Sequence, residues 1–276
     1  MVRRIPILVA VAISLVGCWS AAPAQARSAA LPHPGVTYSV LLRPPGAASG
    51  DRPSGEPGCE REIERGQPRG GPRLVIVGAS FTAGVGPGPG RSWAVLLARH
   101  LHWDAVVYGD PGAGYVRVGA GRKGPVGAEI GRVGLRALEP SLVIVQAGHD
   151  DIGVPPGLER AQVARAIALI RAQAPRARIV LLTVFAGRAR PAAADRTDQA
   201  IVQAARAADP AVIIIDPLAD RWRFPHVRDG LHPTAAGSAW IASRVAEILL
   251  EHGVRPARAG GAVICDPAWP SPAARL

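Results

Sequence analysis

Short apolar segments alternate with helical patterns along most of the chain, and this alternation constrains the fold more than any other feature. Segments of aliphatic and β-branched residues, typical of buried strands, occur at 74–77, 105–108, 142–146, 179–184 and 212–215. Patterns typical of helices lie between or after them, at 91–101, 158–173, 197–208 and 234–252. Such an alternation predicts a five-stranded parallel sheet with right-handed crossovers and helices on both faces.

The length limits how many domains the chain can hold. At 276 residues it has room for one medium-sized α/β domain with a substantial core, and for extensions at both ends. The alternating pattern places that domain at residues 73–252. Residues 27–72 are rich in proline, glycine and charge, which predicts a linker or an irregular extension, and residues 253–276 are assigned to a C-terminal extension.

The N-terminus has the composition of an export signal. Arg3 and Arg4 form a basic segment and residues 5–17 an apolar one, so residues 1–26 are interpreted as a signal peptide. Two cleavage sites fit. The segment that ends at Cys18 resembles a bacterial lipobox, which would make Cys18 a lipidated N-terminus, whereas cleavage after Ala26 would follow an A-x-A motif. We therefore expect an exported protein, either secreted or held at the cell envelope.

Export changes how the cysteines are interpreted. Either cleavage removes or modifies Cys18, which leaves Cys59 before the domain and Cys265 after it. In an oxidising compartment we expect a disulfide between these two residues. A bridge closing a loop of about 200 residues would stabilise the fold by about 4–5 kcal/mol in chain-entropy terms. The alternative is a pair of unrelated free thiols.

Charge and composition argue against some partners. The formal net charge is +11, but the basic residues are scattered and only 4% of residues are aromatic. No nucleic-acid recognition motif occurs and export is expected, so we do not expect the protein to bind nucleic acid.

No apolar run after the N-terminus is long enough to cross a bilayer, so membrane contact is expected only through a lipid anchor. The His, Asp and Cys spacings match no metal motif, and we expect no cofactor. The oligomeric state stays open.

Three short motifs carry the chemistry. Ser80 follows the first predicted strand at a glycine-rich turn, and Gly148-His149-Asp150-Asp151 follows the third. Asp229 precedes His232 by three residues, just before the last predicted helix. Because parallel strands end at the same edge of a sheet, these motifs are expected to meet there. Serine, histidine and aspartate are the nucleophile, base and orienting acid of acyl transfer.

These motifs resemble the sequence blocks that define the SGNH (GDSL-like) hydrolase superfamily. The resemblance is greatest in residues 78–86 and 146–153. The resemblance covers roughly residues 73–252 and is greatest to exported actinobacterial, mycobacterial-type lipases and esterases. It implies a three-layer α/β/α sandwich of the flavodoxin-like type and ester hydrolysis through an acyl-serine intermediate. Ser80 would be the nucleophile, His232 the general base and Asp229 the residue that orients the base.

The resemblance also implies an oxyanion hole, for which one position departs from the pattern. The backbone N–H of Ser80 would be one donor, and the N–H of Gly112, preferred over Gly114, a second. The third donor of the family is an asparagine, and Asp150 stands in its place. An ionised carboxylate only accepts hydrogen bonds, whereas a carboxyl kept protonated by burial can donate one. Asp150 therefore either donates as an acid, turns away and leaves the role to the two backbone donors with His149 as a candidate third, or leaves a slow enzyme.

The substrate is less constrained than the reaction. We expect a serine esterase or lipase acting on small-molecule esters or lipids with short to medium acyl chains. One alternative is a carbohydrate O-deacetylase acting on cell-wall polysaccharide. Another is a non-catalytic lipoprotein that binds a ligand in a degenerate hydrolase site, an alternative to which Asp150 gives weight.

Overall fold

A single parallel sheet forms the centre of the described structure. The computed structural model describes residues 71–187, 192–258 and 263–265. Within them six strands pair in the order β5-β4-β3-β1-β2-β6. They are β1 (Arg73–Gly78), β2 (Asp104–Gly109), β3 (Leu142–Gln146), β4 (Arg178–Leu182), β5 (Ile213–Ile215) and β6 (Val263–Cys265). The five predicted strands are confirmed, and β6 adds a short sixth strand inside the segment assigned to the C-terminal extension.

Helices connect the strands on both sides of the sheet. They are α1 (Ser80–Ala83), α2 (Trp93–Leu101), α3 (Val126–Val133), α4 (Leu135–Leu138), α5 (Pro156–Gln173), α6 (Ala192–Ala208) and α7 (Ala235–Glu251). A 3-10 helix at Pro89–Arg91 precedes α2. The four predicted helices correspond to α2, α5, α6 and α7. The sequence analysis did not predict α3 and α4, which lie in the connection between β2 and β3.

Alternate residues of β1 face two separate cores. Leu74 and Ile76 pack with residues of α2 and α7, whereas Val75 and Val77 pack with residues of α3, α5 and α6. All four side chains are fully buried. A strand covered on both faces has no polar position in its centre, which is why residues 74–77 of β1 are all apolar. The two cores confirm the three-layer α/β/α arrangement.

The register of the sheet brings three loops to one place. Gly78 at the end of β1 pairs with Gly109 at the end of β2 and with Gln146 at the end of β3. Parallel strands that end level with one another deliver their following loops to the same edge. The loops that begin at Ala79, Asp110 and Ala147 are therefore neighbours.

Several predictions from the sequence lie outside the described residues. These are the signal peptide with Cys18, the extension at 27–72 and Cys59. Cys265 is buried at the end of β6. Because Cys59 lies outside the described residues, the Cys59–Cys265 disulfide stays a prediction. In the described part of the chain, no helix has the length and apolar content that a membrane span requires.

Candidate active site

A tight turn between β1 and α1 presents Ser80. Helix α1 begins at Ser80 itself and ends after one turn at Gly84, which adopts the left-handed conformation with φ 78°. The side chain of Gln146 holds this turn, because its Oε1 accepts hydrogen bonds from the Thr82 hydroxyl at 2.9 Å and the Thr82 N–H at 3.3 Å. As the first residue of a helix, Ser80 has an N–H without a helical partner. That N–H is available to a ligand.

A second loop, between β5 and α7, carries Asp229 and His232. It closes on itself through a hydrogen bond from the Val227 N–H to the His232 carbonyl, at 2.9 Å. Gly230 adopts φ 73° at the turn between the two functional residues. Thr234 then caps α7, because its hydroxyl accepts a hydrogen bond from the Gly237 N–H at 3.1 Å. The histidine is thus placed by a turn on one side and a helix cap on the other.

The structure joins Ser80, His232 and Asp229 in one chain of hydrogen bonds. His232 Nε2 lies 2.8 Å from Ser80 Oγ, and His232 Nδ1 lies 2.6 Å from Asp229 Oδ2. Since an ionised carboxylate can only accept, Nδ1 carries the proton and Nε2 is left to accept from the serine hydroxyl. This is the tautomer that a general base requires. The three residues predicted as a triad therefore lie in catalytic geometry.

The surroundings of Asp229 keep its carboxyl ionised. Partial burial works against ionisation, but hydrogen bonds from the His232 ring and from the N–H groups of Leu231 and His232 outweigh it, and the pKa of Asp229 falls to about 2. The two N–H donors lie 2.8 and 2.9 Å from Asp229 Oδ1. Asp229 therefore keeps its negative charge beside the His232 ring at any physiological pH.

Asp150 experiences the opposite environment. Burial raises the pKa of its carboxyl, and the charge of Asp151 adds to the shift, although the rings of His149 and His232 oppose it. The Asp150 carboxyl is thus within electrostatic reach of the triad histidine. Its Oδ2 is buried and has no hydrogen-bond partner among the described residues. A buried carboxyl with a raised pKa favours the protonated form, which can donate.

The loop after β2 distinguishes the two candidate glycines. The N–H of Gly114 donates to the Arg117 carbonyl at 2.9 Å, so it is already engaged within the loop. In the described part of the chain, no hydrogen bond uses the N–H of Gly112. Gly112 also adopts φ 85°, a conformation that favours glycine. The geometry thus favours Gly112 as the second oxyanion donor.

His149, a candidate donor in place of Asp150, is anchored next to it. Its Nδ1 lies 2.8 Å from the carbonyl oxygen of Phe185. A carbonyl oxygen only accepts, so Nδ1 carries a proton in both charge states of the ring. Phe185 in turn stacks on Phe81, the residue after the nucleophile, with ring centroids 4.3 Å apart. His149 is therefore held in place by the same packing that surrounds Ser80.

Aromatic residues surround the triad on the α7 side. Phe81 lies 5.5 Å from the His232 ring, and Phe185 lies 6.0 Å from Trp222, centroid to centroid. Phe224 is buried in the core beside Phe81. Among the described residues, no group of three or more acidic, histidine or cysteine side chains is arranged to hold a metal ion. The hydrogen-bonded serine, histidine and aspartate of the site suit acyl transfer by a serine nucleophile.

Comparison with known proteins decides the family. Residues 76–240 match the GDSL-like Lipase/Acylhydrolase family. The chain belongs to this family. It is also 28% identical over 218 residues to a GDSL lipase of Mycobacterium tuberculosis, a match that covers 71% of this chain and 89% of the relative. The resemblance to SGNH/GDSL-like enzymes is thereby confirmed, and with it the class of carboxylic ester hydrolase.

Solved structures share the fold of this GDSL-family chain. A family two carbohydrate esterase from Clostridium thermocellum, solved in complex with cellohexaose, has a TM-score of 0.54 at 17% identity, covering 70% of this chain and 67% of that one. A carbohydrate acetylesterase from Sinorhizobium meliloti has a TM-score of 0.54 at 12% identity, covering 66% and 99%. At these identities the likeness shows the α/β/α fold alone.

Proposed function

We propose that the protein hydrolyses carboxylic esters with short to medium acyl chains through an acyl-serine intermediate. The single observation that carries this proposal is the Ser80–His232–Asp229 chain of hydrogen bonds. His232 Nε2 would take the proton of the Ser80 hydroxyl as its oxygen attacks the ester carbonyl, and would return it to the leaving alcohol. A water molecule activated in the same way would then release the acid.

The oxyanion of each tetrahedral intermediate needs hydrogen-bond donors. We assign these to the N–H groups of Ser80 and Gly112 and to the protonated carboxyl of Asp150. Among the described residues, neither the N–H of Gly112 nor the buried Oδ2 of Asp150 has a hydrogen-bond partner, which supports this assignment. A missing donor typically costs about 10²–10³ in rate, so the ionisation of Asp150 would slow the enzyme without abolishing catalysis.

A carbohydrate O-deacetylase is the second candidate, and one feature favours it. Trp222 lies against Phe185, and its ring centroid is 5.4 Å from that of Trp240, whose side chain is 38% exposed. Accessible indole rings packed against each other offer apolar faces on which sugar rings can stack. Carbohydrate esterases are also among the proteins with this fold.

Hydrolysis rates on two sets of substrates would separate these functions. We expect wild-type protein to cleave 4-nitrophenyl esters, with the highest kcat/KM on short to medium chains, and Ser80→Ala to be inactive on all of them. Higher kcat/KM on acetylated xylan or acetylated glucosamine oligomers than on any nitrophenyl ester would favour the deacetylase. No activity on either set would support the non-catalytic alternative.

We further propose that the protein is exported and carries the Cys59–Cys265 disulfide. The composition of residues 1–26 and the position of one cysteine on each side of the domain support this. The intact mass of the mature protein distinguishes a lipidated Cys18 from cleavage after Ala26. The same spectrum before and after reduction and alkylation shows whether two cysteines are oxidised. Unprocessed protein with free thiols would contradict both proposals.

A further inference from the structure

The carboxylate of Asp151 binds the backbone of a neighbouring loop. Its Oδ2 accepts a hydrogen bond from the Tyr115 N–H at 2.6 Å, and its Oδ1 accepts from the N–H groups of Val116 and Arg117 at 3.2 and 3.0 Å. Asp151 is fully buried. A buried carboxylate that accepts three N–H bonds is well satisfied, and it ties the loop after β2 to the loop after β3.

The contact between these two loops leaves no free space. A Cβ placed on Gly114 would lie 2.2 Å from both carboxyl oxygens of Asp151. Only glycine therefore allows the backbone to approach the carboxylate this closely. Two residues away along the chain, Gly112 carries the N–H assigned to the oxyanion hole. Only two residues separate Gly112 from the bound segment, so a shift of residues 115–117 acts on this N–H through a short stretch of backbone.

The start of the loop after β2 is also held by an aspartate. Asp110 is buried, and its Oδ1 accepts a hydrogen bond from the Gly121 N–H at 2.7 Å. Its own N–H donates to the Gly78 carbonyl at 2.9 Å, which fixes the start of the loop to the strand that precedes Ser80. Backbone hydrogen bonds hold residues 110–113, from the Ala113 N–H to the Asp110 carbonyl at 3.0 Å and from the Ala120 N–H to the Pro111 carbonyl at 2.7 Å. Asp151 adds the hydrogen bonds that hold residues 115–117.

A second buried carboxyl lies beside Asp151. Glu159, in the first turn of α5, is fully buried. Burial, together with the charge of Asp151, raises the pKa of Glu159 to about 9. Glu159 therefore holds a proton at neutral pH, while Asp151 keeps the acceptor role that three N–H donors require. Over the part of the chain that the structure describes, no hydrogen bond joins the loop to Glu159.

We propose that Asp151 is a positioning residue for the oxyanion hole, because it fixes the loop that carries Gly112 through the N–H groups of residues 115–117. The proposal rests on the proposed esterase function. It gives the two adjacent aspartates, Asp150 and Asp151, different roles. Asp150 is assigned to the oxyanion hole itself, and Asp151 holds the loop that supplies a neighbouring donor.

The test compares Asp151→Asn with Glu159→Gln in the full chain. Asparagine has one acceptor oxygen and one amide donor, so in either orientation at least one loop N–H loses its partner. With 4-nitrophenyl acetate, we expect Asp151→Asn to lower kcat by about 10²-fold, since a misplacement of about 1 Å has effects of that size. KM should stay nearly unchanged. Glutamine replaces a neutral acid with a neutral amide of the same shape, so Glu159→Gln should keep the wild-type kcat.

A transition-state analogue separates positioning from general stability. Trifluoroacetone forms a hemiketal oxyanion on a serine nucleophile, so its inhibition constant reports the oxyanion hole. We expect the inhibition constant of Asp151→Asn to rise in parallel with the loss in kcat. A variant that only loses thermal stability, with kcat and trifluoroacetone affinity intact, would overturn the proposal. Wild-type protein that cleaves no ester would instead contradict the proposed function.

A second variant covers the case in which Asp151→Asn does not fold. Gly114→Ala keeps both carboxyl groups but forces the loop away from Asp151, because its Cβ would meet the carboxylate. We expect the same fall in kcat and in trifluoroacetone affinity. A folded Gly114→Ala variant with the kcat and trifluoroacetone affinity of the wild type would also overturn the proposal.

Discussion

Two aspartates close to the His232 ring have pKa values shifted in opposite directions. Asp229 receives the His232 ring N–H and two backbone N–H groups, and its pKa falls to about 2 despite partial burial. Asp150 is partly buried, its Oδ2 has no hydrogen-bond partner among the described residues, and the pKa of its carboxyl rises. Opposite shifts in neighbouring carboxyls separate their roles. One remains a charged acceptor that orients the base, and the other is suited to donate.

Replacing the charge at Asp229 should impair the base without moving it far. In Asp229→Asn the side chain keeps its size but loses the negative charge that stabilises the His232 imidazolium. It also no longer selects the proton on Nδ1. We expect kcat to fall by on the order of 10²–10⁴-fold, with a smaller change in KM. Steady-state kinetics on 4-nitrophenyl butyrate measure both, and a kcat close to wild type would show that His232 works without Asp229.

The pH dependence of the rate tests the protonated state of Asp150. Wild-type enzyme should lose rate as pH rises through the pKa of this carboxyl, because the donor becomes a negative charge that repels the oxyanion. An asparagine donates at every pH, so the ratio of kcat/KM for Asp150→Asn to that of wild type should increase with pH. In alkaline solution this ratio should approach about 10²–10³, which is the rate effect of one oxyanion donor.

The control for this comparison is the acid limb of the profile. Both proteins need an unprotonated His232, so the two curves should fall together at low pH. If the two profiles were parallel throughout, with equal rates, Asp150 would have no place in the oxyanion hole.

At the scale of elements, the turn from β1 into α1 leaves no space for a side chain. A Cβ on Gly78 would lie 2.3 Å from Thr82 Oγ1 and 2.7 Å from the Gln146 carbonyl oxygen. We expect Gly78→Ala to lower the free energy of unfolding by about 1–3 kcal/mol and to reduce kcat, since the same contacts position Ser80.

The matched control is a glycine with open space around it. A Cβ on Gly127, in α3, meets no atom within 4 Å. Gly127→Ala should raise the free energy of unfolding by about 0.4–1 kcal/mol through the lower entropy of the unfolded chain, with no change in kcat. Urea unfolding measures both variants. Equal stabilities of the two would show that the space around the turn does not limit residue 78.

Helix α5 buries a carboxyl whose titration should be visible in stability. The pKa of Glu159 rises from 4.5 to about 9 on folding, mainly through burial. Between those values the folded state holds a proton that the unfolded state has lost, so the free energy of unfolding decreases as pH rises. Glutamine has no proton to lose.

We therefore expect the stability advantage of Glu159→Gln over wild type to grow between about pH 5 and about pH 8 in urea unfolding. Other raised carboxyls, such as Asp198 at about 6, are common to both proteins and cancel in the difference. A difference that stays constant over this range would mean that Glu159 is ionised in the folded protein.

The elements found from the sequence are those with a continuous pattern. The central residues of strands β1 to β5 form short apolar runs, and α5 and α7 have 18 and 17 residues. Helix α3 was not predicted because Gly127 and Gly131 interrupt the helical pattern of its eight residues. Strand β6 has only three residues, and its pairing with β2 is a long-range contact that a local pattern does not contain.

At the scale of the whole molecule, the parallel sheet explains why the triad was predictable and its supports were not. Ser80 and the Gly148 motif follow strands, and Asp229 and His232 follow the last predicted one, so strand ends alone place them at one edge. Gln146 and Asp151 act through backbone N–H groups of other loops. No residue type at positions 115–117 signals such bonds, since every non-proline residue carries the same N–H.

Labelling with a fluorophosphonate tests the central claim most directly, because the reagent forms a covalent bond only with an activated serine. We expect one adduct per molecule, found by mass spectrometry on the peptide that contains Ser80. Ser80→Ala should remain unlabelled, and His232→Ala should react far more slowly. An unlabelled wild-type protein, or an adduct that persists in Ser80→Ala, would contradict the assignment of Ser80 as the nucleophile of an ester hydrolase.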